Sequence, residues 1–379
     1  MKIAVNTRLL LPERHGGLNA FAVHTLKRMV TAHPEHEFIF LFDRPYDEKF
    51  IFGHNVIPEV VSPPTRHPLL QYLWFNLALP PVLKKHRPDL FYSPDGYAPL
   101  RLKNIPSLLV IHDINFHHYP ASVPLADRIY MNYFFPRCAR QATRLLTVSE
   151  FCKQDIAASF HVPAEKIDVT CNGPGEIFEP INDNQKSQIR RQYTGGEEYF
   201  IYIGAILPRK NIPRMIRAFE LFRKNSAKKT KMVIAGKKMC LTQEVETSYR
   251  HSPFKNDILF TGELPADVLG QLLGASLALV LVSYFEGFGI PVVEAMHAGV
   301  PVIASNVTAL PEIAGDAALF ADPFSEASIA GAMEKIAADA SLRQQLIARG
   351  HERKKLYTWE KAATLIWQSI EKTIKQTLS

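Results

Sequence analysis

The sequence predicts an α/β protein made of two doubly wound parallel sheets. Short β-rich apolar runs alternate with amphipathic helical stretches from end to end, which is the pattern of parallel strands wrapped by helices. The alternation runs as two series of similar size, separated by Asn172 to Gln185 (NGPGEIFEPINDNQ), which carries Gly, Pro and Asn without periodicity. The length of 379 residues suits two domains, and 47% hydrophobic against 21% charged residues excludes disordered and collagen-like chains.

In the first series, Ile3 to Asn6, Phe38 to Phe42, Leu90 to Ser93, Ser107 to His112 and Arg144 to Val148 read as strands. In the second, Tyr199 to Gly204, Lys231 to Gly236, Ile258 to Thr261, Leu277 to Val282, Pro301 to Ala304 and Ala318 to Phe320 do the same. A helix after Glu263 turns Val268, Leu272 and Leu273 to one face, and a last helix from Trp359 carries Trp359, Ala363, Ile366 and Ile370 as a stripe that must pack on something. The expected division is a Rossmann-like domain over 1–175, a linker over 176–197, a second Rossmann-like domain over 198–355, and a helix over 356–379 packing back towards the first domain. In such sheets ligands bind at the carboxyl ends of the strands, so a cleft between two facing domains is the expected site.

Several classes fall away. Cys138, Cys152, Cys171 and Cys240 lack C-x-x-C spacing, which leaves no zinc ribbon or disulfide framework and reads as four reduced, mostly buried thiols. The N-terminal segment lacks a secretory h-region, and no apolar stretch reaches the 18 or so residues needed to span a bilayer. A cytoplasmic protein is expected. Its net charge of +7 suits anionic ligands or an anionic membrane surface, and nucleic acid is not an expected partner.

The richest motif runs from Glu286 through Gly287, Phe288, Gly289 and Ile290 to Glu294, directly after an apolar strand. A strand, a glycine-rich turn and a proline early in a helix leave backbone N–H groups free to bind an anion, with glycines that let the ligand approach. Two carboxylates beside phosphates suit hydrogen bonding to sugar hydroxyls, Glu294 to a ribose and Glu286 to a hexose. The competing reading is a plain βα turn with two solvated acids. A second motif, Gly204 to Asn211 (GAILPRKN), sets Arg209 and Lys210 ahead of a helix, where a fork and a point charge would bind a diphosphate. Gly16-Gly17 follows the first strand without the G-x-G-x-x-G fingerprint, and His112-Asp113 ends a strand facing the expected cleft.

The run from Gly287 to Ser305 (GFGIPVVEAMHAGVPVIAS) resembles the donor-binding signature of glycosyltransferase family 4, retaining enzymes of the type B fold with two facing Rossmann-like domains. The resemblance covers almost the whole chain. It implies that Lys210 and Arg209 hold the donor diphosphate, that Gly16 and Gly17 close on the donor phosphates, and that Gly287, Phe288, Gly289, Ile290 and Glu294 bind the nucleotide sugar. It implies further that His112 lies next to the reacting sugar on the acceptor side, with Asp113 either contacting a sugar or holding the loop. Glu286, with His112, is the catalytic candidate and is expected to position the sugar. Thr147-Val148-Ser149-Glu150 resembles a family segment in which Ser149 caps the next helix. Ala205 departs from the pattern, since many relatives carry arginine directly after the glycine.

The resemblance implies a retaining hexosyltransferase. The acceptor hydroxyl attacks the anomeric carbon from the face the diphosphate leaves, and the phosphate takes the proton. No D-x-D motif occurs, so cations and helix dipoles are expected to neutralise the leaving group, with no metal or other cofactor. The P-R-K-N, I-H-D and T-V-S-E forms resemble bacterial mannosyltransferases of surface polysaccharide assembly, which points to GDP-mannose as donor and a lipid-linked or saccharide acceptor. A sugar-nucleotide epimerase of the same fold and a non-catalytic sugar-nucleotide-binding protein are the alternatives. A nicotinamide dehydrogenase would need the absent glycine fingerprint. His67 to Lys85 reads as a helix buried under the sheet, or else as a peripheral contact with the inner face of the cytoplasmic membrane.

Overall fold

The computed structural model describes residues 1–12, 16–102, 105–175, 177–237 and 243–378. It divides into two compact units, one of Met1–Gly173 with Thr358–Ser379 and the other of Pro174–Tyr357.

The first unit is a seven-stranded parallel sheet of β1 (Lys2–Asn6), β2 (Glu37–Phe42), β3 (Val56–Val60), β4 (Leu90–Ser93), β5 (Ser107–Val110), β6 (Arg144–Thr147) and β7 (Ile167–Val169), in the order 3-2-1-4-5-6-7. β1 sits between β2 and β4, with Ile3 opposite both Phe38 and Leu90. Its Ile3, Ala4 and Val5 are fully buried, as helices covering both faces of a parallel sheet require. The helix Trp359–Leu378 belongs to this unit: Trp359, Ala363, Ile366 and Ile370 are all buried, and it packs along the helix Gly17–Ala32 and onto β5 and β6. Trp359 stacks on His24, and Thr170 donates to the carbonyl of Ala362.

The second unit is a six-stranded parallel sheet of β8 (Tyr199–Ile203), β9 (Lys231–Ala235), β10 (Ile258–Gly262), β11 (Ala278–Leu281), β12 (Val302–Ser305) and β13 (Ala318–Ala321), in the order 10-9-8-11-12-13. In both sheets the order reverses beside the first strand, between β1 and β4 and between β8 and β11. In sheets of this kind ligands bind at the carboxyl ends of the strands flanking such a reversal.

Two edge strands, β3 and β7, escape the sequence reading. Both are short and only partly buried, and β3 contains Pro58, so neither shows the apolar run of a central strand. The linker expected over 176–197 is corrected. It holds the helix Asp183–Thr194, opened by a reciprocal capping box between Asn182 and Gln185 and closed by Gly195 in the left-handed region. This helix packs on the helix Ala266–Ala275, and Arg190 donates to the carbonyl of Ala275 at 2.9 Å. Its own buried residues are only Ile189 and Thr194, which is why no periodicity betrayed it.

The stretch from His67 to Lys85 is buried on one face only. It forms the helices Pro68–Leu73 and Leu79–His86 joined by a π-type turn, Trp74–Ala78. One face buries Trp74, Phe75, Leu79 and Leu83, with the Trp74 indole N–H on the carbonyl of Val61, while Leu69, Tyr72 and Leu77 lie exposed. Cys138, Cys152 and Cys171 are buried free thiols, and burial pushes each thiol pKa up, that of Cys171 to about 11. Cys240 lies outside the described residues. No helix among the described residues is long and apolar enough to cross a membrane.

Candidate functional site

In the second unit the loops after β8 and β11, on either side of the strand-order reversal, are tied to each other. The backbone N–H of Tyr284 donates to the carbonyl of Arg209 at 2.8 Å, and the Asn211 side-chain amide donates to the carbonyl of Val282 at 2.9 Å. Asn211 is buried and left-handed at φ 63°, which closes the Pro208–Lys210 turn and starts the helix Ile212–Asn225. Gly236 fixes the neighbouring strand end: a Cβ there would sit 1.9 Å from the carbonyl oxygen of Gly204.

These ties bring Arg209, Lys210 and Glu286 together across 76 residues of sequence. Lys210 Nζ donates to Glu286 Oε1, Arg209 Nη1 lies 3.3 Å from Oε2, and the Ser283 hydroxyl donates to Oε1 at 2.7 Å. Burial alone would raise the Glu286 pKa. Lys210, Arg209 and the Ser283 hydroxyl outweigh it and hold the carboxyl down at about 2. The two cations are therefore shared with Glu286, and the cluster keeps one net positive charge. Arg209 also donates to the carbonyl of Phe285 at 2.8 Å, which holds its guanidinium against the turn.

The glycine-rich turn leads into the helix Ile290–His297, capped by Gly289 at φ 92°. A Cβ at Gly289 would lie 2.4 Å from Leu310 Cδ2, so a larger residue would have to displace that side chain and would also be strained by the positive φ. At the start of this helix Pro291 has no N–H and the N–H of Val292 donates to the carbonyl of Gly289 at 2.9 Å, and the helix turns its positive dipole end to this turn. Phe288 is buried with its ring edge-on to Tyr357, and Ile290 is half-buried at the helix start. Glu294, one turn on, is the reverse case to Glu286: burial raises its carboxyl to about 7, and the N–H of Gly175 offsets this only in part.

In the first unit the corresponding reversal gathers a buried polar network. Asn6 Nδ2 donates to Ser93 Oγ at 3.0 Å and to Asp95 Oδ1 at 2.8 Å, and Arg8 Nε donates to Asp95 Oδ2 at 2.5 Å. Arg8 lies over the ring of Tyr97 at 5.1 Å. His112 stands beside them: its Nε2 donates to the carbonyl of Pro94 at 3.0 Å, and its ring packs edge-on against Phe21. A carbonyl partner places the proton on Nε2 and leaves Nδ1 as an acceptor. Burial, against the pull of Pro94, Asp113 and Asp95, lowers the His112 pKa and favours the neutral ring.

Asp113 serves the loop, its Oδ1 accepting from the backbone and side-chain N–H groups of Asn115. Gly16, at φ 149° with open space where a Cβ would stand, caps the helix that Gly17 begins. The Ser149 hydroxyl accepts from the N–H of Cys152 and caps the helix Glu150–Phe160. Asn6, Arg8 and Asp95 were missed, because single polar residues at strand ends carry no linear signal until the strand order is known. His33 and His36 converge with Glu35: His33 Nδ1 and His36 Nε2 lie 3.5 and 3.3 Å from its carboxylate, with both rings stacked on Trp367.

Residues 184–353 match the family model described as glycosyl transferases group 1, and residues 15–173 match that of Glycosyltransferase Family 4. An O-antigen chain mannosyltransferase B of Escherichia coli is 32% identical over 289 residues, covering 75% of this chain and 74% of that protein. The chain belongs to the GT-B glycosyltransferases. The O-antigen chain mannosyltransferase RfbU of Salmonella typhimurium is 29% identical over 299 residues, covering 77% and 78% of the two chains. The same fold is seen in sucrose-phosphate synthase from Thermosynechococcus elongatus, with a TM-score of 0.79 over 99% of both chains at 18% identity. Anabaena HepE, solved with UDP and glucose, superposes with a TM-score of 0.73 over 98% of this glycosyltransferase and 100% of HepE at 16% identity.

Proposed function

We propose that this glycosyltransferase is a retaining mannosyltransferase that moves mannose from GDP-mannose to a growing surface polysaccharide on a lipid-linked acceptor, working at the cytoplasmic face of the membrane. The observation that carries the reading is the Lys210–Arg209–Glu286 cluster beside the glycine-rich turn. It offers one net positive charge, a guanidinium and a helix N-terminus to a departing diphosphate. This set offsets part of the negative charge of the leaving group. Mannose as the transferred sugar is supported by the O-antigen mannosyltransferases of Escherichia coli and Salmonella to which the chain is similar.

In this reading the second unit holds the donor. Phe288, Gly289 and Ile290 present N–H groups to phosphate, and Glu294, near its midpoint at neutral pH, accepts or donates at a ribose hydroxyl. Glu286 orients the hexose through whichever lone pairs its cations leave free. Its carboxylate is too strongly held by Lys210 and Arg209 to be a good nucleophile, which favours attack by the acceptor on the donor face with the phosphate as proton acceptor. On the acceptor side, neutral His112 takes a hydrogen bond from a sugar hydroxyl at Nδ1 rather than delivering a proton.

Melting curves with GDP, UDP, dTDP and their sugar conjugates, with and without EDTA, test the donor, because a ligand bound only by the folded state raises its melting temperature. The expected outcome is a shift with GDP and GDP-mannose that EDTA leaves unchanged, followed by transfer to a lipid-linked saccharide with retained anomeric configuration by NMR. A shift with UDP conjugates alone would overturn the choice of donor, and an inverted product would overturn the mechanism.

A further inference from the structure

Three metal-ligating side chains converge where the helix Gly17–Ala32 turns into β2. His33 Nδ1 and His36 Nε2 approach the same carboxylate oxygen, Glu35 Oε1, at 3.5 and 3.3 Å. A tetrahedral ion with bonds of about 2.0–2.1 Å sets its ligand atoms about 3.3–3.4 Å apart, so two edges of such a site are already in place. Ligand atoms from all three residues lie within 4.8 Å of one another, a spread that a modest turn of one ring closes. Among the described residues no other trio of His, Cys, Asp or Glu meets this spacing.

The turn itself does not need the imidazoles. The Asn55 side-chain amide donates to the carbonyls of Val30, His33 and His36 at 3.3, 3.1 and 3.0 Å, and the N–H of His36 donates to the carbonyl of His33 at 3.1 Å. The main chain is thus held with both rings left to another task. Trp367, from the last helix, lies parallel to the two rings with centroids 3.5 and 5.2 Å away, which restricts their rotation and lowers the entropy lost on binding an ion. The Glu35 carboxylate is exposed and gives an ion a way in. Two imidazoles with one carboxylate suit a borderline transition cation, whereas Mg²⁺ and Ca²⁺ prefer oxygen ligands alone.

We propose that His33, Glu35 and His36 bind one divalent transition cation, Zn²⁺ before others, with water completing its coordination. The ion takes the place of the proton that His36 Nε2 shares with Glu35. The ring proton then stands on Nδ1, and the Met1 amine, 3.1 Å away, accepts from it as the free base. The site lies at the amino end of β2, while Asn6, Asp95 and His112 lie at the carboxyl ends of their strands, so the ion is structural and takes no part in transfer. It locks the turn, and the charge it lends to the coordinated rings strengthens their stacking on Trp367 and so the seat of the last helix.

Calorimetric titration of untagged, chelator-stripped protein with Zn²⁺, against Mg²⁺ as the control, tests the site. The expected result is saturable binding of one Zn²⁺ and none of Mg²⁺, a melting temperature raised by Zn²⁺, and a change in tryptophan emission that Trp367→Phe removes. His33→Gln/His36→Gln should bind Zn²⁺ at least tenfold more weakly. So should Glu35→Gln, whose exposed side chain can change without unfolding the chain. His117→Gln/His118→Gln, a histidine pair that also stands beside an acid, Asp155, should bind as the parent does. Melting curves without metal show that each variant is folded. No saturable Zn²⁺ binding, equal affinity in the parent and in both the His33/His36 and Glu35 variants, or equal binding of Mg²⁺ would overturn the site. Loss of binding in the His117/His118 variant alone would place the ion there and overturn it too.

Discussion

The Glu286 carboxylate sits between two cations and offsets one of their charges, and this changes what its removal should do. The buried pairing with Lys210 predicts that losing this carboxylate costs stability as well as turnover. Breaking a buried ion pair from one side strands the other charge, so Glu286→Gln should lose about 3 kcal/mol of stability at pH 7. Its folded pKa of about 2 lies below the unfolded value near 4.5, so this contribution is present above pH 4.5 and fades as pH falls towards 2. Removing both partners separates structure from function. Lys210→Met with Glu286→Leu should recover most of the stability while abolishing the nucleotide-induced melting shift. A double variant that kept the shift would take both residues out of the donor site. Glu294 runs the opposite way: its folded pKa of about 7 exceeds the unfolded value, so the folded chain holds a proton that the unfolded chain loses and stability falls between about pH 4.5 and 7. Glu294→Gln should flatten that slope in denaturant titrations across the window, and an unchanged slope would mean the carboxyl is not buried in solution.

At the scale of elements, the site depends on strand ends held closer than a side chain allows. Gly236, at φ 153°, leaves β9 under the carbonyl of Gly204, and its own N–H donates to the carbonyl of Gly262, so three strand ends are pinned at one residue. Gly236→Ala should therefore cost about 3 kcal/mol, read as a lowered melting temperature, with the nucleotide shift reduced because the Pro208–Lys210 turn follows from Gly204. Full stability in that variant would show that the crossing is looser than the 1.9 Å separation implies. Central strands such as β1 and β8 were legible because burial on both faces writes an unbroken apolar run. The edges β3 and β7 and the helix Asp183–Thr194 were not, because an element that buries one or two side chains leaves no period to read. The glycine-rich turn and the P-R-K-N turn could each be found in the sequence. Their ion pairing could not, since it depends on β8 and β11 being neighbours.

For the molecule as a whole, the proposed function puts different ligands at the order reversals of the two sheets, and amide hydrogen exchange can read both at once. A nucleotide held by the loops after β8 and β11 should slow exchange in 204–213 and 283–294 and leave the network around Asn6, Arg8, Asp95 and His112 unchanged. A saccharide acceptor should slow 93–97 and 111–115 instead. The sign of each effect follows from linkage, since a ligand that binds only the closed form of a segment lowers the population that opens to exchange. The first unit supplies its own control. The helix Trp359–Leu378 is held by the buried stripe of Trp359, Ile366 and Ile370 against that unit's core, far in sequence from residues 1–173 yet part of the same packing. Its exchange should respond to neither ligand except through global stability. Nucleotide protection centred on Asn6 to Asp95 would move the donor to the first unit, and the Lys210–Glu286 pair would then be a purely structural clasp between two loops.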